Sequence, residues 1–136
     1  MTRTERTAGL AVPAAVACLL MSASAAAGAG SIATKIDAGW DGDNHYIDGY
    51  VITKRTPEGF ECARGRKIVV KYLKTGKVVG SGKTKSEGKR VGSFRINLGR
   101  FAPKGRYRVV AKARTIGETV CERGATTLTQ RYDEND

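Results

Sequence analysis

Arg106-Tyr107-Arg108-Val109-Val110-Ala111-Lys112-Ala113-Arg114 alternates with a period of two. Tyr107, Val109, Ala111 and Ala113 share one side; Arg106, Arg108, Lys112 and Arg114 share the other with Val110. Only an extended chain returns a side chain to the same face at every second position, whereas a helix brings together positions three and four apart. A strand that is apolar on one face and basic on the other belongs to an antiparallel sheet with one side on a core and one in water.

The same period recurs upstream. Ile47, Gly49 and Val51 alternate with Asp48, Tyr50 and Ile52; Ile68, Val70 and Tyr72 with Lys67, Val69 and Lys71; Phe94, Ile96 and Leu98 with Arg95 and Asn97. Turn residues punctuate these runs at Thr75-Gly76, Gly80 to Gly82, Glu87-Gly88 and Pro103-Lys104-Gly105. Weaker strands are expected over residues 32–37, 78–83 and 125–131, and no segment long enough for a helix shows a helical stripe. The pattern predicts an all-β domain, an antiparallel Greek-key β-sandwich of seven or eight strands.

The start of the chain reads differently. Arg3 and Arg6 precede an apolar run without charge over residues 9–21, and residues 22–29 are small, with A-x-A-like triplets. Thirteen apolar residues span only about 20 Å as a helix, short of the roughly 30 Å hydrocarbon core, so a cleavable signal peptide over residues 1–29 is expected rather than an anchor. Cys18 follows Ala15-Val16-Ala17, with no leucine, and the apolar run continues past it, so it belongs to the signal and not to a lipid-attachment site. Residues 30–131 are then the sandwich domain and 132–136 an acidic tail. Secretion places Cys62 and Cys121 in an oxidising compartment, where they are expected to form one bridge.

The formal net charge of the full chain is +11. It is unevenly spread: residues 30–61 carry three basic and six acidic side chains, and residues 62–131 carry nineteen basic and three acidic. A field of this sign attracts anionic polymers, lipid headgroups or nucleic acid over long range and in a salt-sensitive way.

Thr84-Lys85-Ser86-Glu87-Gly88 before Phe94-Arg95-Ile96, followed by Pro103-Lys104-Gly105-Arg106-Tyr107-Arg108-Val109, resembles the "T-(d)-x-x-G-x-F…P-x-G-x-Y-x-V" run of transthyretin-like and carboxypeptidase-regulatory-like sandwiches. Ile47-x-Gly49-x-Val51 and Cys62-x-x-x-Arg66-Lys67-Ile68 are similar to stretches of small secreted bacterial single-domain proteins of that kind. The resemblance covers residues 33–131 and implies a fold more than an activity, because one fold hosts many functions.

Catalytic chemistries find few groups to use. Transthyretin-like hydrolases of purine-derived lactams use several histidines and a C-terminal Tyr-Arg-Gly-Ser, whereas this chain has His45 alone and runs Gln130-Arg131-Tyr132-Asp133 near its end. A triad around His45 has no evident ordering partner. Zinc is excluded, since the two cysteines are far apart and only one imidazole exists. Asp41, Asp43 and Asp48 repeat oxygen ligands in a calcium-like spacing, but the sixth-position glycine and twelfth-position glutamate of a calcium loop are missing. An isopeptide staple is not supported either: residues 125–131 contain no asparagine.

The expectation is a secreted, monomeric, non-catalytic domain without cofactor or metal and without stable membrane insertion. It associates with an anionic cell-surface polymer or nucleic acid through Arg106, Arg108, Lys112, Arg114, Lys67, Lys71 and Arg95. The alternative is an inhibitor or protein-partner module using a loop edge of Phe60, Trp40 and Tyr46.

Overall fold

The computed structural model describes residues 30–133. The expected signal peptide and the last three residues of the acidic tail lie outside these. Two sheets face each other. Strands β2 (Lys35–Trp40), β3 (Tyr46–Ile52) and β6 (Ser93–Asn97) form one sheet, in the order β2-β3-β6. The other contains β4 (Lys67–Tyr72), β5 (Lys77–Lys83), β7 (Gly105–Ala111) and β10 (Gly124–Gln130), in the order β10-β7-β4-β5. Every pairing within these two sheets is antiparallel. The chain crosses between sheets after β3, β5 and β6, so β6 returns beside β3 and β7 beside β4, a Greek-key sandwich of seven strands. Its open edges approach each other, β10 beside β2 and β5 beside β6. No helix among the described residues is long and apolar enough to cross a membrane.

The inward positions are those the period of two selects. Ile47 and Val51 of β3 and Phe94 and Ile96 of β6 meet Ile68 and Val70 of β4 and Tyr107, Val109 and Ala111 of β7. Tyr107 stacks on Tyr72 at 4.9 Å between ring centroids and meets Trp40 edge-on at 5.1 Å. Gly80 and Gly82, read both as a turn signal and as part of an expected weak strand over residues 78–83, lie inside β5. A Cβ at either would come within 2.8 Å of Ile96, so the glycines let β6 side chains close against this edge strand.

Four further elements were not expected. Helix α1 (Pro57–Ala63) follows β3, with Thr56 as N-cap accepting from Gly59 N and Pro57 in its first turn. Strands β8 (Arg114–Ile116) and β9 (Thr119–Cys121) form a hairpin, and β1 (Ser31–Ile32) pairs with β9 in parallel. The run over residues 106–114 is therefore not one strand. It ends as Lys112 N donates to Lys67 O, and the chain turns away at Ala113.

The domain also reaches past residue 131. Gln130 exchanges hydrogen bonds with the backbone of Tyr132 and donates to Ala102 O, and Asp133 pairs with Lys104 at 3.1 Å. The first two residues of the expected tail are thus held to the end of the sandwich by these contacts.

Candidate functional site

Five of the seven predicted cations come together. On the outer face of the four-stranded sheet, β7 presents Arg106 and Arg108, β4 presents Lys67 and Lys71, and Lys112 continues the row past the end of β7. Lys71 stands directly opposite Arg108, and Val69 opposite Val110. Like charges in register repel, so sheet stability alone does not select this arrangement. All five are exposed, while Val69 and Val110 between them are buried, consistent with long aliphatic stems covering the apolar centre. Lys67, Lys71 and Lys112, with Val78 and Arg123, line a groove of about 640 Å³ beside Arg106 and Arg108. None of the five pairs with a carboxylate among the described residues, whose ion pairs all lie elsewhere.

The other two cations are placed differently. Arg95 belongs to β6 on the opposite sheet, where it donates to Asp41 at 2.9 Å and Asp48 at 3.2 Å and covers the Tyr46 ring at 4.1 Å. Period-two alternation tells which residues of a strand share a face but not which sheet the strand joins. Arg95 therefore also takes up two of the carboxylates weighed for calcium, while Asp43 faces His45 at 3.4 Å. Among the described residues no three His, Cys, Asp or Glu side chains are grouped to share an ion.

Arg114 turns inward to α1. Its guanidinium donates to the carbonyls of Glu61, Arg64 and Gly65, the unsatisfied acceptors at the end of the helix. Beside it lies a residue that sequence reasoning passed over as a site, Arg66, which is fully buried. Its Nε donates to Lys112 O at 2.7 Å, Nη1 to Cys62 O at 2.8 Å and Thr34 Oγ1 at 3.2 Å, and Nη2 to Glu122 O at 2.5 Å and Cys121 O at 3.5 Å. All five donors of the fork are used, and no carboxylate takes part. Burial, and after it the Arg114 charge, pull the Arg66 guanidinium below its ordinary range. Cys62 and Cys121, both buried, are bonded at the centre of this knot.

The same end of the fold pins a loop. Thr84 Oγ1 donates to Ala63 O and accepts from Arg66 N, and Thr84 N donates to Arg66 O. At the opposite end Tyr107 donates to Pro103 O, four residues upstream, at 2.6 Å, the arrangement of a tyrosine corner. Burial first, then neighbouring Tyr72, push the Tyr107 phenol up to about 12, against a smaller opposing pull from Arg100.

The aromatic alternative does not assemble into one edge. Trp40 packs on the core and donates to Thr129 O, Tyr46 lies under Arg95, and only Phe60, on α1, is strongly exposed, at 53%. His45 sits in a loop against Phe101. No family model, no curated protein and no solved structure matches this chain.

Proposed function

We propose that this domain is a secreted, non-catalytic binding module that associates with an anionic cell-surface polymer through the outer face of the four-stranded sheet. One observation carries the reading: Lys67, Lys71, Arg106, Arg108 and Lys112 project from adjacent strands without a carboxylate partner among the described residues, two of them directly opposite each other. An array that repels itself is relieved when an anion settles across it. A signal-like start and a buried disulfide suit an oxidising exterior. The transthyretin-like resemblance adds a fold and no substrate.

Replacing Lys67, Lys71, Arg106 and Arg108 together with Gln is expected to leave the melting temperature nearly unchanged, since all four are exposed. Binding to heparin or to an anionic wall polymer should weaken strongly. With a nucleic-acid polymer as probe, the slope of log affinity against log salt should flatten by close to one unit for each phosphate no longer neutralised. The control neutralises the exposed Lys54, Lys74, Lys77 and Lys89. Equal losses from both quadruple variants would show that net charge alone matters, and the proposed face would have no special role.

A further inference from the structure

We infer that the chain carries a second, separate ligand site: a cleft on the outer face of the three-stranded sheet that takes an acidic sugar unit. The cleft, of about 560 Å³, lies between β3, β6, the end of β5 and the segment joining β5 to β6. Tyr50 forms one wall, its ring on the outer face of β3 and the residue 45% exposed. Lys83, Lys85 and Arg90 form another, and none of the three pairs with a carboxylate among the described residues. Ser93 lines the cleft as well, with Asp48 and the Arg95 that pairs with it.

The backbone that carries these cations is fixed at several points. Thr84 anchors it to the buried Arg66 knot, Lys85 N donates to Ser93 O, Gly92 N to Lys85 O, Ser93 N to Arg90 O, and Val51 N to Gly92 O. Gly88 and Gly92, at φ of +82° and +91°, supply the turns this path requires. Charges mounted on a pinned backbone lose less entropy on binding than charges on a mobile one.

The chemistry selects the ligand. Three unpaired cations on one wall read an acid group, and charge-assisted hydrogen bonds are the stronger kind. A lone phenol face offers a platform for the polarised C–H groups of a sugar ring. The Ser93 hydroxyl offers a hydrogen-bond partner to a sugar hydroxyl, while Asp48 is held by Arg95. A nucleic-acid strand fits less well, because base stacking uses successive aromatic platforms. The next ring along this face, Tyr46, is capped by Arg95, so no second stacking platform is open beside Tyr50. The cleft shares none of the five cations of the opposite sheet; Lys83 stands directly opposite Lys67, so Lys85 and Arg90 are the cations that separate this site from the other.

The test titrates the purified protein with tetragalacturonate, a neutral maltotetraose, oligodeoxythymidine and inorganic phosphate, following amide shifts at Gly49, Tyr50 and Arg90. Saturable tetragalacturonate binding that moves these amides is expected. It should weaken by at least about tenfold in the Lys83→Gln/Lys85→Gln/Arg90→Gln variant and by about fivefold in Tyr50→Ala, each with an unchanged melting temperature. The Lys67→Gln/Lys71→Gln/Arg106→Gln/Arg108→Gln variant should bind it as before. The site is overturned by no saturable binding, equal affinity for the neutral tetramer, full retention by the triple variant, or tighter binding of oligodeoxythymidine, which would make it a nucleic-acid site. Inorganic phosphate binding as tightly as tetragalacturonate would also overturn it, since the sugar ring would then contribute nothing.

Discussion

Arg66 shows how much one side chain can settle. Replacing buried ion pairs with apolar residues is often neutral, because both charges leave together. Here the partners are mostly backbone carbonyls, which no substitution can remove: those of Cys62, Lys112, Cys121 and Glu122, together with the Thr34 hydroxyl. Arg66→Met should therefore cost about 3 kcal/mol or more in chemical denaturation, and Arg66→Lys should not restore it, since an ammonium has three donors and no planar fork. A Met variant as stable as the parent would remove the knot from the account. Tyr107 makes a second prediction at this scale. Its phenol titrates near 10 when unfolded and about 12 when folded, so the neutral form is favoured in the native state. The resulting stability is complete below pH 10 and lost as pH rises towards 12. Tyr107→Phe loses the bond to Pro103 O, about 1 kcal/mol at neutral pH, and should show a shallower fall in melting temperature between pH 10 and 12.

At the level of elements, what was legible followed from length and period. Strands β3, β4, β6 and β7 repeat apolar positions for five to seven residues, enough for alternation to show, whereas β2, β5 and β10 read more weakly, β5 and β10 because they turn mainly Gly, Thr and Gln inward. Helix α1 spans seven residues, two turns, and no helical stripe can show over so short a run. Its start was nonetheless written in Thr56-Pro57-Glu58, a cap, a first-turn proline and a first-turn acid. Gly59 is required there because a Cβ would fall 1.7 Å from Lys54 O. The β8–β9 hairpin was hidden because each strand has three residues and Arg114 continued the alternation of β7 by coincidence. The consequence is measurable: Arg114→Gln should destabilise the fold by about 1.5 to 3 kcal/mol by uncapping α1, and should barely change binding to an anionic polymer. Arg108→Gln should do the reverse. The cleft was illegible for a related reason: Lys83 ends an expected strand, Lys85 and Arg90 follow it without a strand pattern, and only the return of β6 beside β3 brings Tyr50 to them.

For the whole molecule, the decisive asymmetry is that neither cysteine belongs to the sandwich. Cys62 lies in α1 and Cys121 in β9, so the bridge fastens the helix and the small β1-β9-β8 sheet to each other outside the two main layers. Closing a loop with a sequence separation of 59 contributes about 4 kcal/mol in the chain-entropy model, a large share of what a domain of this size holds. Cys62→Ser/Cys121→Ser should accordingly lower the melting temperature by on the order of 15 to 30 °C. The seven-strand core keeps its own apolar packing, so below that transition the variant should retain its β-sheet circular dichroism. Loss should instead concentrate around Arg66 and Thr84, visible as faster amide exchange in α1, β8 and β9 than in β4 and β7. Because Thr84 anchors the loop that carries Lys85 and Arg90, tetragalacturonate binding should weaken with the bridge removed, while heparin binding through the β4–β7 face persists. A double Ser variant that melted within a few degrees of the parent, with uniform exchange throughout, would mean that the sandwich alone holds the knot in place.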